Sequence, residues 1–166
     1  MAAITAIYGV QVDSGVATYE INRPDVAEMQ RRMEAIVAQG YPYLVAEDDG
    51  QLAGYAYATS YRARHAYRFT VENTVYVDAA HQGRGIGAAL LQALIDDCTA
   101  RGFRQMIAVV GEAANAGSVR LHERLGFRTV AVFQGIGRKH GRWLDTVQMQ
   151  RALGDGDACD PLDELN

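Results

Sequence analysis

Residues 81–98 read HQGRGIGAALLQALIDDC. Gly83, Gly85 and Gly87 fall at every second position and run directly into an apolar-periodic segment. Glycine loses more backbone entropy on folding than any other residue, so a chain concentrates it where side chains would be in the way. Ile86, Leu90, Leu91, Leu94, Ile95 and Cys98 make one helical stripe, and Gly102 supplies the stop. Upstream, the polar loop Asp78–Gln82 follows Phe69–Val77, which is rich in β-branched and aromatic residues and reads as a long strand. Backbone N–H groups at a helix start lack intrahelical partners and carry the positive end of the helix dipole, which suits phosphate oxygens. The loop is therefore expected to cradle a phosphate.

Working outward, residues 2–11 place Ile4, Ile7, Tyr8 and Gln11 at helical spacing, and Thr18–Ile21 looks extended. Asp25 caps a helix whose face is Val26, Met29, Met33, Ile36 and Val37, closed by Gly40. Tyr43–Glu47 and Gln51–Ser60 flank Asp48-Asp49-Gly50, a hairpin turn signal, and so read as antiparallel strands. Gln105–Val110 is a short apolar strand and Asn115–Leu125 a helix ended by Gly126; Phe127–Phe133 and Trp143–Gln150 are closing strands. From Gly154 onward Asp and Gly dominate, the pattern of a flexible acidic tail.

The 166 residues, 49 % apolar and 22 % charged, suit one domain with a hydrophobic core, here residues 1–153. A formal charge of −4 argues against a nucleic-acid surface made of bulk positive charge. No run approaches the roughly 20 apolar residues of a membrane span, and the N-terminus lacks the layout of a signal peptide, so a cytoplasmic protein is expected. Cys98 lies on the apolar side of its helix and Cys159 in the polar tail, and both read as free thiols. No metal-ligand spacing occurs.

The ligand of the glycine loop is narrowed by what is missing. No lysine follows the glycines, which removes a P-loop. Gly83, Gly85 and Ala88 satisfy a dinucleotide fingerprint, with Glu112 after the next strand. Against it, five residues separate Val77 from Gly83, and the segments before are antiparallel hairpin material.

The stretch VYVDAAHQGRGIGAALLQALIDDC (75–98) resembles the acetyl-CoA-binding segment of the GNAT acetyltransferase superfamily, whose Gln/Arg-x-x-Gly-x-Gly/Ala signature is matched by Gln82, Gly85 and Gly87. NAGSVRLHERLGF (115–127) is similar to its second cofactor segment. With RHAYRFTVENTVYV (64–77) and GRKHGRWLDTVQMQ (137–150), the likeness extends to the phosphinothricin and methionine sulfoximine N-acetyltransferase subfamily, from about Ile4 to Leu153. The resemblance implies an α+β GNAT fold: a mixed, mostly antiparallel twisted sheet flanked by helices, with a V-shaped splay between two parallel central strands. The strand such proteins carry before the first helix is expected to be missing or shortened here.

What the resemblance implies about chemistry follows residue by residue. Acetyl transfer from the co-substrate acetyl-CoA to an amine requires the amine to be neutral, and amines with pKa values of roughly 8 to 10 are mostly protonated at pH 7. Glu72 is the candidate base and an acceptor contact; the competing reading is a solvent-facing strand glutamate in a salt bridge. Main-chain groups of Val75, Tyr76 and Val77 at the splay, with Gln82, Gly83, Arg84, Gly85, Ile86 and Gly87, are expected to hold the cofactor. Ser118 and His122 share a helix face at i, i+4. His122 is the candidate proton donor to the CoA thiolate, or else a packed helix histidine, and a water is the other possible donor. Asn115 is a helix cap, a pantetheine contact, or both.

For the acceptor, YRARHAYR (61–68) interleaves Arg62, Arg64 and Arg68 with Tyr61 and Tyr67. Guanidinium forks suit carboxylate, phosphinate or sulfoximine oxygens, and the resemblance implies that Arg64 contacts the substrate, with Tyr67 beside it; the other basic residues read as a solvated loop. Lys139 and His140 add positive charge in a late glycine-rich loop. The expectation is a homodimeric N-acetyltransferase acting on a small amino acid or analogue by direct attack. The alternatives are a GNAT protein acting on protein N-termini or lysines, and a noncatalytic acyl-CoA-binding module.

Overall fold

Asp49 and Gly50 take left-handed backbone angles, φ 50° and 73°, and turn the chain between β1 (Tyr43–Asp48) and β2 (Gln51–Ser60), the geometry an Asp-Gly hairpin provides. A computed structural model describes residues 1–111 and 116–161, so Glu112 and Asn115 lie outside the described residues. Before the hairpin come α1 (Ala2–Asp13) and α2 (Val26–Ala38); after it come β3 (Thr70–Val77), α3 (Ile86–Ala100), β4 (Gln105–Gly111), α4 (Ala116–Arg124), β5 (Arg128–Lys139) and β6 (Arg142–Ala152). The sheet order is β1-β2-β3-β4-β6-β5, every pair antiparallel except β3–β4.

That parallel pair is short. Its register runs from Thr70↔Gln105 to Asn73↔Ala108 and stops, while β3 continues to Val77 and β4 to Gly111. The two strands diverge beyond Asn73, as the resemblance implied. On one face α3 packs Leu90, Leu91, Leu94, Ile95 and Cys98 against Val71, Met106, Ala108 and Met149. On the other, α1 and α2 place Ile4, Ile7, Tyr8, Val12 and Met29 over Tyr55 and Tyr76. The alternation of strand side chains then sorts β3: Val71, Asn73 and Val75 face α3, and Glu72, Thr74 and Tyr76 face α1.

Three expectations change. Thr18–Ile21 joins no strand; its polar groups are met by side chains from elsewhere, Tyr8 Oη with Thr18 Oγ1 at 2.9 Å and Tyr19 Oη with Thr146 Oγ1 at 2.5 Å. The α2 stripe is narrower than its periodicity suggests: Met29 is buried, but Val26 and Val37 are exposed because only one edge of the helix reaches the sheet. Asp25 does cap that helix, accepting from the Glu28 N–H at 2.7 Å. The closing strands are longer than expected, with two register shifts in β5. From Gly154 to Pro161 the chain makes turns beside Arg104, whose Nη2 donates to the Asp160 carbonyl at 3.2 Å.

Candidate active site

Gly83 and Gly85 have φ of 76° and 83°, and Gly85 is the residue before the first turn of α3. A Cβ at either would meet no protein atom within 4 Å. Their requirement for glycine is therefore conformational, a left-handed backbone, rather than a lack of room. Gly87 is different: its φ is ordinary, and a Cβ would sit 3.4 Å from both Leu121 Cδ2 and Val77 Cγ2, so a small residue lets α3 approach α4 and β3. The first helical bond of α3 runs from the Ala89 N–H to the Gly85 carbonyl. The N–H groups of Ile86, Gly87 and Ala88 consequently have no partner within the helix.

Those amides line a cavity of about 630 Å³ with Gln82, Gly83 and Gly85, bounded by Val75, Val77, Ser118, Arg120, Leu121 and Arg124. Arg84 is not part of this wall; its Nη1 turns to Asp48 Oδ2 at 2.5 Å. Opposite the glycine loop, β3 contributes main chain. The Asp78 N–H bonds to the Ala53 carbonyl of the β2 side, so even-numbered residues of β3 point their N–H at β2 and Val75 and Val77 point theirs into the splay. Tyr76, grouped with them from sequence, lines both cavities, while its main chain belongs to the β2 ladder opposite Tyr55 and its ring lies with Tyr8.

A second cavity, about 260 Å³, opens where the strands part. Glu72, Thr74 and Tyr57 line it with Tyr8, Thr18, Tyr19, Asn73 and His122, and it shares Ala17, Val75, Tyr76 and Ser118 with the first. The two cavities thus meet at the splay. Glu72 is half-buried, and burial pushes its carboxyl above the ordinary value, with Arg62 pulling weakly the other way. A carboxylate held this way is a stronger base than one in water.

His122 is 4 % exposed. Its Nδ1 lies 2.8 Å from the Ser118 carbonyl and its Nε2 3.1 Å from Asn73 Oδ1, while the Phe127 ring meets it edge-on at 5.0 Å. Burial lowers its pKa and the Ser118 carbonyl opposes that shift. Cys98 is fully buried with its thiol pushed up to about 12, which removes it as a nucleophile.

The loop between α1 and α2 closes one wall. Lys139, read from sequence as a basic residue of a late loop, is buried and donates from Nζ to the Gln11 and Thr18 carbonyls at 2.9 and 2.8 Å. Tyr76 Oη donates to the Ala17 carbonyl at 3.2 Å, and a Cβ at Gly137 would lie 2.6 Å from the Tyr19 ring. The lysine is a structural tie because β5 carries it beneath this loop rather than into the cavity. His140 likewise bonds the Gly15 carbonyl at 3.2 Å.

Arg64 and Tyr67 are not brought to the cavity: both are exposed, Arg64 preceding a single 3-10 turn at His65–Tyr67, and neither is in the lining. Sequence reasoning missed Asn73, Thr18 and Tyr19. Asn73 carried a signal, since it is a polar residue two positions from valines on the face expected to be core. Thr18 and Tyr19 carried none, because their roles depend on partners more than a hundred residues away, Thr146 and Lys139. Among the described residues no group of His, Cys, Asp and Glu side chains could hold a metal ion.

Comparison with known proteins gives one consistent result. A phosphinothricin N-acetyltransferase of Alcaligenes faecalis is 48 % identical over 97 % of this chain and 82 % of its own length. The L-methionine sulfoximine/L-methionine sulfone acetyltransferase of Salmonella typhimurium is 42 % identical over 95 % of this chain and 94 % of its own. The crystal structure of a phosphinothricin acetyltransferase from Sinorhizobium meliloti in complex with acetyl-CoA superposes with a TM-score of 0.94 at 50 % identity, covering 98 % of this chain and 88 % of that one. Residues 7–127, which span the glycine loop, the splayed strands and the His122 helix, match the acetyltransferase (GNAT) family, and with the fold and these relatives they make this chain a member of that family.

Proposed function

We propose that this protein transfers the acetyl group of acetyl-CoA to the amino group of a small amino acid or analogue of the phosphinothricin or methionine sulfoximine kind. The observation that carries the reading is the meeting of two cavities at the β3–β4 splay, one walled by helix-start amides and the other by a half-buried carboxylate. The donor set fits acetyl-CoA: N–H groups of Ile86, Gly87 and Ala88 suit the diphosphate, and those of Val75 and Val77 suit the amides of the pantetheine arm. Gln82, Gly83 and Gly85 shape that cradle, and Arg84 contributes its main chain. The acetyl carbonyl is bound at the splay, where a strand amide stabilises the developing oxyanion.

Glu72 accepts a proton from the attacking amine directly or through one water. His122 returns a proton to the departing thiolate, and Ser118 orients the ring. No acyl-enzyme forms. The phenols of Tyr8, Tyr57 and Tyr76, all raised by burial, stay protonated; Tyr8 and Tyr57 offer hydrogen bonds to the acceptor, while the Tyr76 hydroxyl holds the Ala17 carbonyl. Arg64 and Tyr67 stand outside the cavity lining, on the exposed loop that leads into Glu72 and whose Arg62 pulls on that carboxyl, and any contact they make with the acceptor's acidic group is made from that loop.

A homodimer is part of the reading, supported by Val130, Val132, Phe133, Ile136 and Trp143, apolar and exposed along the edge hairpin β5–β6. A cytoplasmic setting is supported by two free thiols, and the partners are small molecules rather than nucleic acid or membrane.

The test is thiol release from acetyl-CoA in the presence of methionine sulfone, phosphinothricin, ordinary amino acids and short peptides. Saturable turnover with the amino-acid analogues supports the reading. Turnover with peptides alone would favour a protein-directed acetyltransferase, and none with any acceptor a noncatalytic binding module.

A further inference from the structure

His122 carries an acceptor at each ring nitrogen. Ser118 offers a helix carbonyl to Nδ1, and Asn73 offers Oδ1 to Nε2 while its own Nδ2 donates to the Ile107 carbonyl at 3.1 Å. A carbonyl oxygen only accepts, so Nδ1 must bear hydrogen. The amide of Asn73 cannot be turned over without loss, because Oδ1 would then face the Ile107 carbonyl, acceptor against acceptor. With Asn73 so oriented, a neutral imidazole puts a lone pair against Oδ1, and only the imidazolium satisfies all four groups. Both side chains are buried, where an unmatched polar pair is costly; the same burial disfavours the charged ring, so the hydrogen-bond pattern and desolvation pull in opposite directions.

We infer that Asn73 is a positioning residue that biases His122 toward its doubly protonated form at the splay. The inference rests on the reading of His122 as proton donor to the thiolate. During turnover the acceptor amine forms the C–N bond to the acyl carbon, the C–S bond breaks with its electron pair staying on sulfur, and the Nε2 proton leaves Asn73 Oδ1 for that sulfur to form the S–H bond. The neutral ring that remains is then mismatched with Oδ1 until solvent restores the proton or the amide rotates and gives up Ile107. Asn73 occupies the last paired position of the parallel ladder, so the same residue ends the pairing of β3 and β4 and sets the charge of the group beyond it.

Among the described residues the ionisable groups around His122 are few. β3 supplies Glu72, α1 Tyr8, β2 Tyr57, the α1–α2 loop Tyr19 and β3 again Tyr76, all sharing its cavity. Its own helix carries Arg120, Glu123 and Arg124, and β4 from Gln105 to Gly111 contains no ionisable side chain.

Nitrogen-15 NMR of histidine-labelled protein, with His122 identified by its loss in His122→Phe, reads the ring state directly. Asn73→Leu is expected to lower the His122 titration midpoint by at least about one unit, a tenfold loss of proton affinity. Asn73→Asp is expected to raise it. In the kinetics, Asn73→Leu should reduce kcat at neutral pH at least tenfold with KM for acetyl-CoA little changed, and acidification should restore part of the loss. Should Asn73→Leu fail to fold, Asn73→Asp alone decides: a midpoint equal to or below wild type overturns the inference, as does an unchanged midpoint in folded Asn73→Leu. If the midpoints shift as stated but kcat does not follow, Asn73 still holds the proton, and the failure falls on His122 as donor.

Discussion

Glu72 and Asn73 are adjacent in the chain and stand on opposite faces of the sheet, Glu72 with Tyr76 towards α1 and Asn73 with Val75 towards α3 and α4. One peptide bond therefore separates the group assigned to take a proton from the group that holds His122, assigned to give one. Strand alternation achieves this separation, and the splay beyond Asn73 opens the sheet so that both faces reach the same point. Two groups of opposite task can be tuned independently when the sheet stands between them.

The cost of burying Glu72 is visible in stability. Its folded pKa is raised, so the folded state holds that proton more tightly than the unfolded chain does. The favourable contribution is present below the ordinary value of 4.5 and is lost as pH rises through the folded value. Glu72→Gln removes the ionisation and should melt higher than wild type at pH 7.5, by about 2–4 °C for each kcal/mol relieved in a chain of this size. The advantage should vanish near pH 4. Thermal unfolding at the two pH values checks both statements.

Lys139 ties the end of α1 and the α1–α2 loop to the edge hairpin through the Gln11 and Thr18 carbonyls. Lys139→Met keeps the stem and removes the charged donor, with an expected loss of about 1.5–3 kcal/mol in urea unfolding. Because Thr18 and Tyr19 line the acceptor cavity, KM for the acceptor should rise while KM for acetyl-CoA changes little. Steady-state kinetics with each substrate varied in turn separates the two.

Gly85 adopts a φ of 83° that an L side chain enters at a cost of about 1–2 kcal/mol. Gly85→Ala should relax this turn and displace the free amides of α3, weakening acetyl-CoA binding about tenfold or more. Calorimetry measures the change. Gly87→Ala, whose backbone is ordinary and whose new methyl meets two side-chain atoms at 3.4 Å, should be milder.

Most of the fold was legible because its signals are local. The Asp-Gly hairpin, the capped α2 and the glycine-led α3 are decided by residues within a few positions of one another, and the topology was implied by the family resemblance that two motifs in order carry. Glu72 and His122 were legible through resemblance, and the structure brings both to one cavity. The parts that were not legible depend on distant partners. Lys139 and Arg64 share a charge with many phosphate and carboxylate binders, yet one is buried under a loop and the other stands in solvent, and only the packing of β5 against residues 11–19 distinguishes them. Asn73 was passed over because a single polar residue in a β-branched run looks like an ordinary interruption until its neighbour at Ile107 is known.

The most direct measurement is the rate of thiol release from acetyl-CoA with methionine sulfone, compared for wild type and Glu72→Gln from pH 6 to pH 9. A base of this kind contributes roughly 10²–10⁴-fold, so Glu72→Gln should lose that much kcat/KM at neutral pH and recover part of it as the amine deprotonates unaided at higher pH. Equal rates for the two proteins at neutral pH would contradict the account.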